Sequence, residues 1–110
     1  MEKIKVIVKQ PDEGIGHVTY ISNNLKNLQN TVGGYIQVVP LAEDVLMICN
    51  EEGKLLGLDP NFPFKAGKIY GTVIITGVDG DEFTDIPDNL TIHSWERFLI
   101  NEFLKYEPAT

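Results

Sequence analysis

Hydrophobic and polar positions alternate from the start of the chain. In Lys3-Ile4-Lys5-Val6-Ile7-Val8-Lys9, the residues Ile4, Val6 and Val8 share one face and lysines take the other, which predicts a half-buried strand. Gln10 to Gly14 supplies turn chemistry through Pro11 and Gly14, and His17 to Ile21 predicts a second strand returning beside the first. The period then changes. Leu25, Leu28 and Val32 fall at helical spacing over Ser22 to Val32, with Ser22 or Asn23 placed to cap the helix and Gly33 placed to end it. Gly34 to Val39 predicts a strand stopped by Pro40. The wholly apolar Val45-Leu46-Met47-Ile48-Cys49 predicts a central strand covered on both faces.

Asn50 to Gly53 predicts a turn into Lys54-Leu55-Leu56 and so a further hairpin. Residues 57 to 67, with Pro60, Pro63 and bounding glycines, predict irregular chain. Ile69 to Val78 predicts the longest strand, with Gly71 and Gly77 marking a bulge or a close backbone approach, followed by a tight turn at Asp79-Gly80-Asp81. The last element is a helix from the region of Asp88 to Thr91 to about Tyr106. Ile92, Trp95, Leu99 and Phe103 form its apolar stripe with Phe98 beside them, and Arg97, Asn101 and Glu102 lie off it. The order β-β-α-β-β-β-β-α predicts an α+β fold: one domain over residues 1–110, a mainly antiparallel sheet of about five or six strands, and a short central and a C-terminal helix covering one face.

Composition narrows the function classes. At 110 residues, 43% apolar and 23% charged, the chain is long enough for one core and has no apolar run of spanning length. No secretory h-region follows Met1, and a single cysteine, Cys49, excludes an internal disulfide framework; both suit a cytoplasmic location. The net charge of -7 is concentrated after residue 78. Asp79, Asp81, Glu82, Asp85, Asp88, Glu96, Glu102 and Glu107 stand there against only Arg97 and Lys105. Such a chain repels phosphate backbone, so direct nucleic-acid binding is not expected. An acidic surface fits a basic partner protein, by mimicry of DNA, or simple solubility.

Candidate chemistry is sparse. Asp79-Gly80-Asp81 begins like a calcium loop, but Phe83, Thr84 and Leu90 occupy the positions of the remaining ligand, the glycine and the closing glutamate; a looser site with Asp85 is less expected than a solvated turn. Cys49 follows four apolar residues and reads as a buried thiol; a pairing with His17 as nucleophile and base has no local support. Phe62 and Phe64, interleaved with Pro60 and Pro63, are either partner contacts or a plug for the core. The Gly33-Gly34-Tyr35 corner offers backbone amides beside an aromatic, which suits a phosphate and a base, with Asn50, Lys54 and Lys68 as further polar candidates.

Three strings, Val32-Gly33-Gly34-Tyr35-Ile36-Gln37-Val38-Val39, Cys49-Asn50-Glu51-Glu52-Gly53-Lys54 and Gly71-Thr72-Val73-Ile74-Ile75-Thr76-Gly77-Val78-Asp79, in this order resemble the DUF3846 family of small domains in bacteria, phages and mobile elements. The resemblance implies no catalytic residue and no cofactor. It implies an accessory protein of a phage or mobile element that counters host defence by holding on to something. The expected partner is a nucleotide-type signalling molecule, bound by Gly33, Gly34, Tyr35, Asn50, Lys54 and Lys68, or a host protein, met by Phe62, Phe64, Asp79, Asp81 and Glu82. Assembly as a homo-oligomer is expected, with no membrane and no nucleic acid as partner. An acidic DNA-mimic inhibitor and a hydrolase with an unrecognised site are the alternatives.

Overall fold

The computed structural model describes residues 2–106. Ten elements follow one another: β1 (Lys3–Lys9), β2 (His17–Ser22), α1 (Leu25–Val32), β3 (Ile36–Ala42), β4 (Val45–Asn50), β5 (Pro60–Phe64), β6 (Gly67–Tyr70), β7 (Val73–Asp79), β8 (Glu82–Thr84) and α2 (Ile92–Tyr106). The main antiparallel sheet has the order β2-β1-β7-β4-β3, with β8 also on β7; β5 and β6 pair as a separate ribbon. The class is α+β, and β4 is indeed an inner strand.

The sheet is buried on both sides. Ile7, Met47 and Ile75 are paired across β1, β7 and β4 and point to one face, while their chain neighbours Val8, Ile48 and Ile74 point to the other. One core joins Ile7, Met47, Cys49, Val73 and Ile75 to Phe62, Trp95 and Leu99; the second joins Ile4, Val6, Val8, Ile48 and Ile74 to Leu28 and Val32. The two helices therefore lie on opposite faces, rather than together on one. Apolar residues of both parities along β1, β4 and β7 require this, since each face must be covered.

Several sequence expectations are corrected by the ladder geometry. Pro40 does not stop β3, because β3 is an edge strand. The Glu51 amide bonds the Tyr35 carbonyl (2.9 Å), so in this register the odd residues of β3 bond inward and Pro40 turns its nitrogen outward, where no donor is missed. Residues 60–64 are a strand for the same reason: in the β5–β6 ribbon Pro60 and Pro63 occupy positions whose nitrogens face away from β6. A two-residue turn at Lys65 and Ala66, both at positive φ (47° and 65°), closes this ribbon as a type I′ hairpin. The predicted long strand divides at Gly71 (φ 88°) into β6 and β7. Gly77 is a close approach: a Cβ there would overlap the Asp85 carbonyl oxygen. Lys54 to Leu56 form turns, not a strand, and β4 takes its hairpin partner from β3 instead.

The helices are set by caps and one stripe each. Asn24, not Ser22 or Asn23, caps α1, its side-chain oxygen accepting the Asn27 amide (2.8 Å), and Gly33 ends the helix at φ 84°. Leu28 and Val32 are buried, whereas Leu25 is exposed. Thr91 precedes α2 and exchanges hydrogen bonds with Ser94 through both amides (3.2 and 2.8 Å). Trp95 and Leu99 are buried, but the next position facing inward is Glu102 (7% exposed), and Phe103 is 42% exposed. The stripe thus follows Trp95, Leu99 and Glu102 around the helix, and Glu102, expected off it, is buried.

Phe62 is 2% exposed and meets Trp95 edge-on at 6.0 Å, while Phe64 sits half-buried between Phe62 (6.3 Å) and Phe98 (6.4 Å). Phe62 is therefore core and has no face for a partner. Trp95 stacks on Phe98 (5.2 Å) and donates its indole N–H to the Ile15 carbonyl (2.9 Å), tying α2 to the β1–β2 loop. Asn61 and Lys9 lock the ribbon to the sheet. The Asn61 amide donates to the carbonyls of Lys9 (2.9 Å) and Gly71 (2.8 Å), and its oxygen accepts from Lys9 Nζ (2.5 Å). Lys9 is thus buried with its strand, unlike the exposed Lys3 and Lys5; burial lowers its pKa from the usual 10.5, against the pull of Glu13 and Asp12.

Candidate functional site

The end of α1, the start of β3 and the turn after β4 enclose an open cleft of about 610 Å³, lined by Gln29, Asn30, Gly33, Gly34, Tyr35, Glu52 and Leu56. Each wall follows from local chemistry. The Gln29 carbonyl accepts the amides of both Gly33 (2.8 Å) and Gly34 (3.0 Å), which turns the chain sharply out of the helix. Tyr35 leaves this corner 68% exposed. The opposite wall is a compact turn held by the Leu56 amide on the Glu52 carbonyl (2.9 Å) and the Leu58 amide on the Gly53 carbonyl (3.0 Å).

Asn50 joins the three walls. It is buried (6% exposed), and its side chain donates to the Val32 carbonyl (3.1 Å) while accepting the Glu52 amide (2.7 Å). A Cβ on Gly34 would stand 2.9 Å from the Asn50 amide nitrogen, so any larger residue there would have to displace the clamp. Asn50 is thus a clamp beneath the cleft, its amide nitrogen and oxygen each holding one backbone partner.

Two more expectations change here. The Gly33 and Gly34 amides are occupied by Gln29 and form no open phosphate nest. Lys54 and Lys68 do not line the Tyr35 cleft; they line a smaller neighbouring one of about 160 Å³ together with Asn50, Gln37, Glu51 and Tyr70, so three of the predicted polar candidates meet there. Among the described residues lining the Tyr35 cleft, Glu52 alone carries an acidic or basic side chain. Sequence reasoning missed Gln29, Asn30, Glu52 and Leu56. Gln29 and Asn30 lie in the last turn before Gly33, so the helix stop itself points to them.

The remaining polar candidates lie apart from this cleft. Asp79, Asp81 and Glu82 are exposed on the β7–β8 turn, and Val45 pairs with Gly77, which puts Glu43 and Asp44 at the same end of the sheet. Ile36 pairs with Asn50 at the other end, so cleft and carboxylates stand at opposite ends. Asp85 accepts the Lys5 amide (2.7 Å) and serves as a strand anchor. Among the described residues no group of acids, cysteines or histidines is arranged to hold a metal. Glu107, counted with the acidic third of the chain, lies outside the described residues. Cys49 is buried in β4, which raises its thiol pKa, and β7 and β1 separate β4 from His17 on β2. His17 pairs instead with Glu13; there burial pushes the carboxyl up, but the Gln10 amide and His17 outweigh it and the pKa is lowered.

The molecule is thus a two-cored α+β domain with an open, weakly charged surface cleft at Tyr35 and a smaller one beside it. It belongs to the DUF3846 family, a domain of unknown function whose model matches residues 4–99. No curated protein and no solved structure matches the chain. No helix among the described residues is long and apolar enough to cross a membrane.

Proposed function

We propose that this is a binding protein without catalysis, and that the Tyr35 cleft holds the base or nucleoside part of a nucleotide-type signalling molecule. The observation that carries the reading is Tyr35 itself. A large aromatic ring stands two-thirds exposed on a corner fixed by Gln29 and Asn50, where it offers a stacking face at little entropic cost. Gln29 and Asn30 supply amide donors and acceptors for a base edge, and Glu52 accepts from an exocyclic amine or a ribose hydroxyl. Phosphates are repelled by Glu52 and belong outside this cleft, towards Lys54 and Lys68. Sequestration of a host signal by a phage or mobile-element protein needs affinity alone.

Titration of labelled protein with adenosine, guanosine and their phosphates, followed by amide resonances, tests this. Shifts confined to residues 29–35 and 52–56, and about a 5- to 10-fold loss of affinity in Tyr35→Ala, are expected from a stacking contribution of about 1 kcal/mol. Absence of shifts with every compound, or affinity unaltered by Tyr35→Ala, overturns it. The exposed acids at the far end of the sheet support a second reading, a DNA-mimic contact to a basic host protein. Binding of such a protein would then fall steeply with salt and be lost on neutralising Asp79, Asp81 and Glu82.

A further inference from the structure

The two edges of the main sheet are not alike. The β3 edge is blunted, because Pro40 offers no N–H outward and the register slips between Pro40 and Ala42. The β2 edge has no such device. His17–Ser22 contains no proline, glycine, lysine or acid, and pairs with β1 without a bulge over all six residues.

Its free groups can be named. The Asn23 amide donates to the Glu2 carbonyl (3.0 Å), extending the β1–β2 ladder, so odd-numbered residues of β2 bond inward and even-numbered ones outward. The Ser22 carbonyl is engaged by Asn24 and Asn27. Val18 and Tyr20 are left with their N–H and C=O groups turned outward, and their side chains are 40% and 61% exposed on one face.

We infer that β2 pairs with β2 of a second copy of this chain, antiparallel, about a twofold axis at Thr19. This register sets Val18 opposite the partner's Tyr20 and Tyr20 opposite the partner's Val18. All four outward groups on each copy are then satisfied, and two aromatic–β-branched pairs cover the exposed side chains.

Charge selects a second copy as the occupant. Asp12 and Glu13 precede β2, whereas Lys3 and Lys5 lie beside its far end, opposite Ser22 and Tyr20, and Lys26 follows. Antiparallel pairing brings the acidic loop of each copy to the end of the other where Lys3, Lys5 and Lys26 outnumber Glu2, although the chain as a whole carries -7. The same contact at β3 would gather Glu43, Asp44 and Glu51 of both copies.

Sedimentation equilibrium of the full chain tests the interface. The wild type is expected at twice 12.3 kDa. Tyr20→Pro removes one outward donor without touching the inward ladder, and Tyr20→Lys places a charge at the contact while leaving the backbone intact; both are expected at the monomer mass. Thr19→Cys places two thiols across a non-hydrogen-bonded pair, with Cα atoms about 4.5 Å apart, within disulfide reach, and is expected to yield a covalent dimer on mild oxidation. A wild type that stays at 12.3 kDa across the concentration range overturns the proposal. So does a dimer that survives folded Tyr20→Lys, since the contact then lies elsewhere, as on the exposed Ile100, Phe103 and Leu104 of α2.

Discussion

Replacing Asn50 by alanine removes the clamp beneath the cleft, and the structure sets the size of the effect. Two hydrogen bonds go, to the Val32 carbonyl and from the Glu52 amide. Glu52 is exposed and its amide regains water, so that bond costs about 1 kcal/mol. Val32 is 2% exposed, and its stranded carbonyl adds about 2 kcal/mol. The total of about 3 kcal/mol corresponds to a fall of ~12–20 °C in Tm for a domain near this size. Differential scanning calorimetry with urea titration reads it. Lys54→Ala, at an exposed residue of the same turn, is the control and should move Tm little. Asn50→Asp sharpens the test, because an ionised carboxylate cannot donate to Val32, whereas the protonated acid can. Its folded-state pKa is then raised above the usual ~3.9, so stability is fully present below that value and is lost as pH rises through the raised one. A loss below about 1 kcal/mol in Asn50→Ala, or an Asn50→Asp variant that gains stability with rising pH above the carboxylate range, would refute the clamp.

Two further outcomes follow from the β5–β6 ribbon. Ala66→Gly relieves a side chain held at φ 65° in the type I′ turn and is expected to raise Tm by about 5 °C, for a gain of about 1 kcal/mol; an unchanged or lower Tm refutes the turn assignment. Because burial lowers the pKa of Lys9, the unfolded chain binds more protons than the folded one between the lowered value and 10.5. Stability of the wild type relative to Lys9→Met should therefore increase as pH rises into that window, measured by urea unfolding at stepped pH, and a flat difference contradicts the buried placement.

Much of this was legible in the sequence where one local rule acted alone. The alternation of Ile4, Val6 and Val8 that marks β1 as a strand, the unbroken run of β4 and the stop at Gly33 each report a short-range preference, and each stands in the structure; β1 is not half-buried, however, because Ile7 and Lys9 on its second face are covered as well. Reading failed where tertiary context decided. Pro40 and Pro63 break a strand only if their nitrogens face a partner, and sequence does not show which way a strand turns. Glu102 reads from sequence as lying off the apolar stripe, although helical geometry places it in line with Trp95 and Leu99. For the cleft, Gly33, Gly34 and Tyr35 are legible because a helix stop and a lone aromatic are local signals. Glu52 and Leu56 reach it only through the Asn50 clamp. Polarity alone groups Lys54 and Lys68 with them, while the turn at Glu51–Gly53 sends Lys54 to a separate hollow beside Lys68 of β6.

The division of the interior by the sheet bears on how such a domain can change over time. Neighbouring residues on one strand, such as Ile74 and Ile75, face different compartments, so their side chains pack against separate sets of partners and are linked only through the strand they share. Trp95, Phe62 and the aromatics around them can drift or be replaced as a block while the layer of Leu28 and Val32 keeps its shape. A lineage is thereby free to remodel one side of the molecule and hold the other constant.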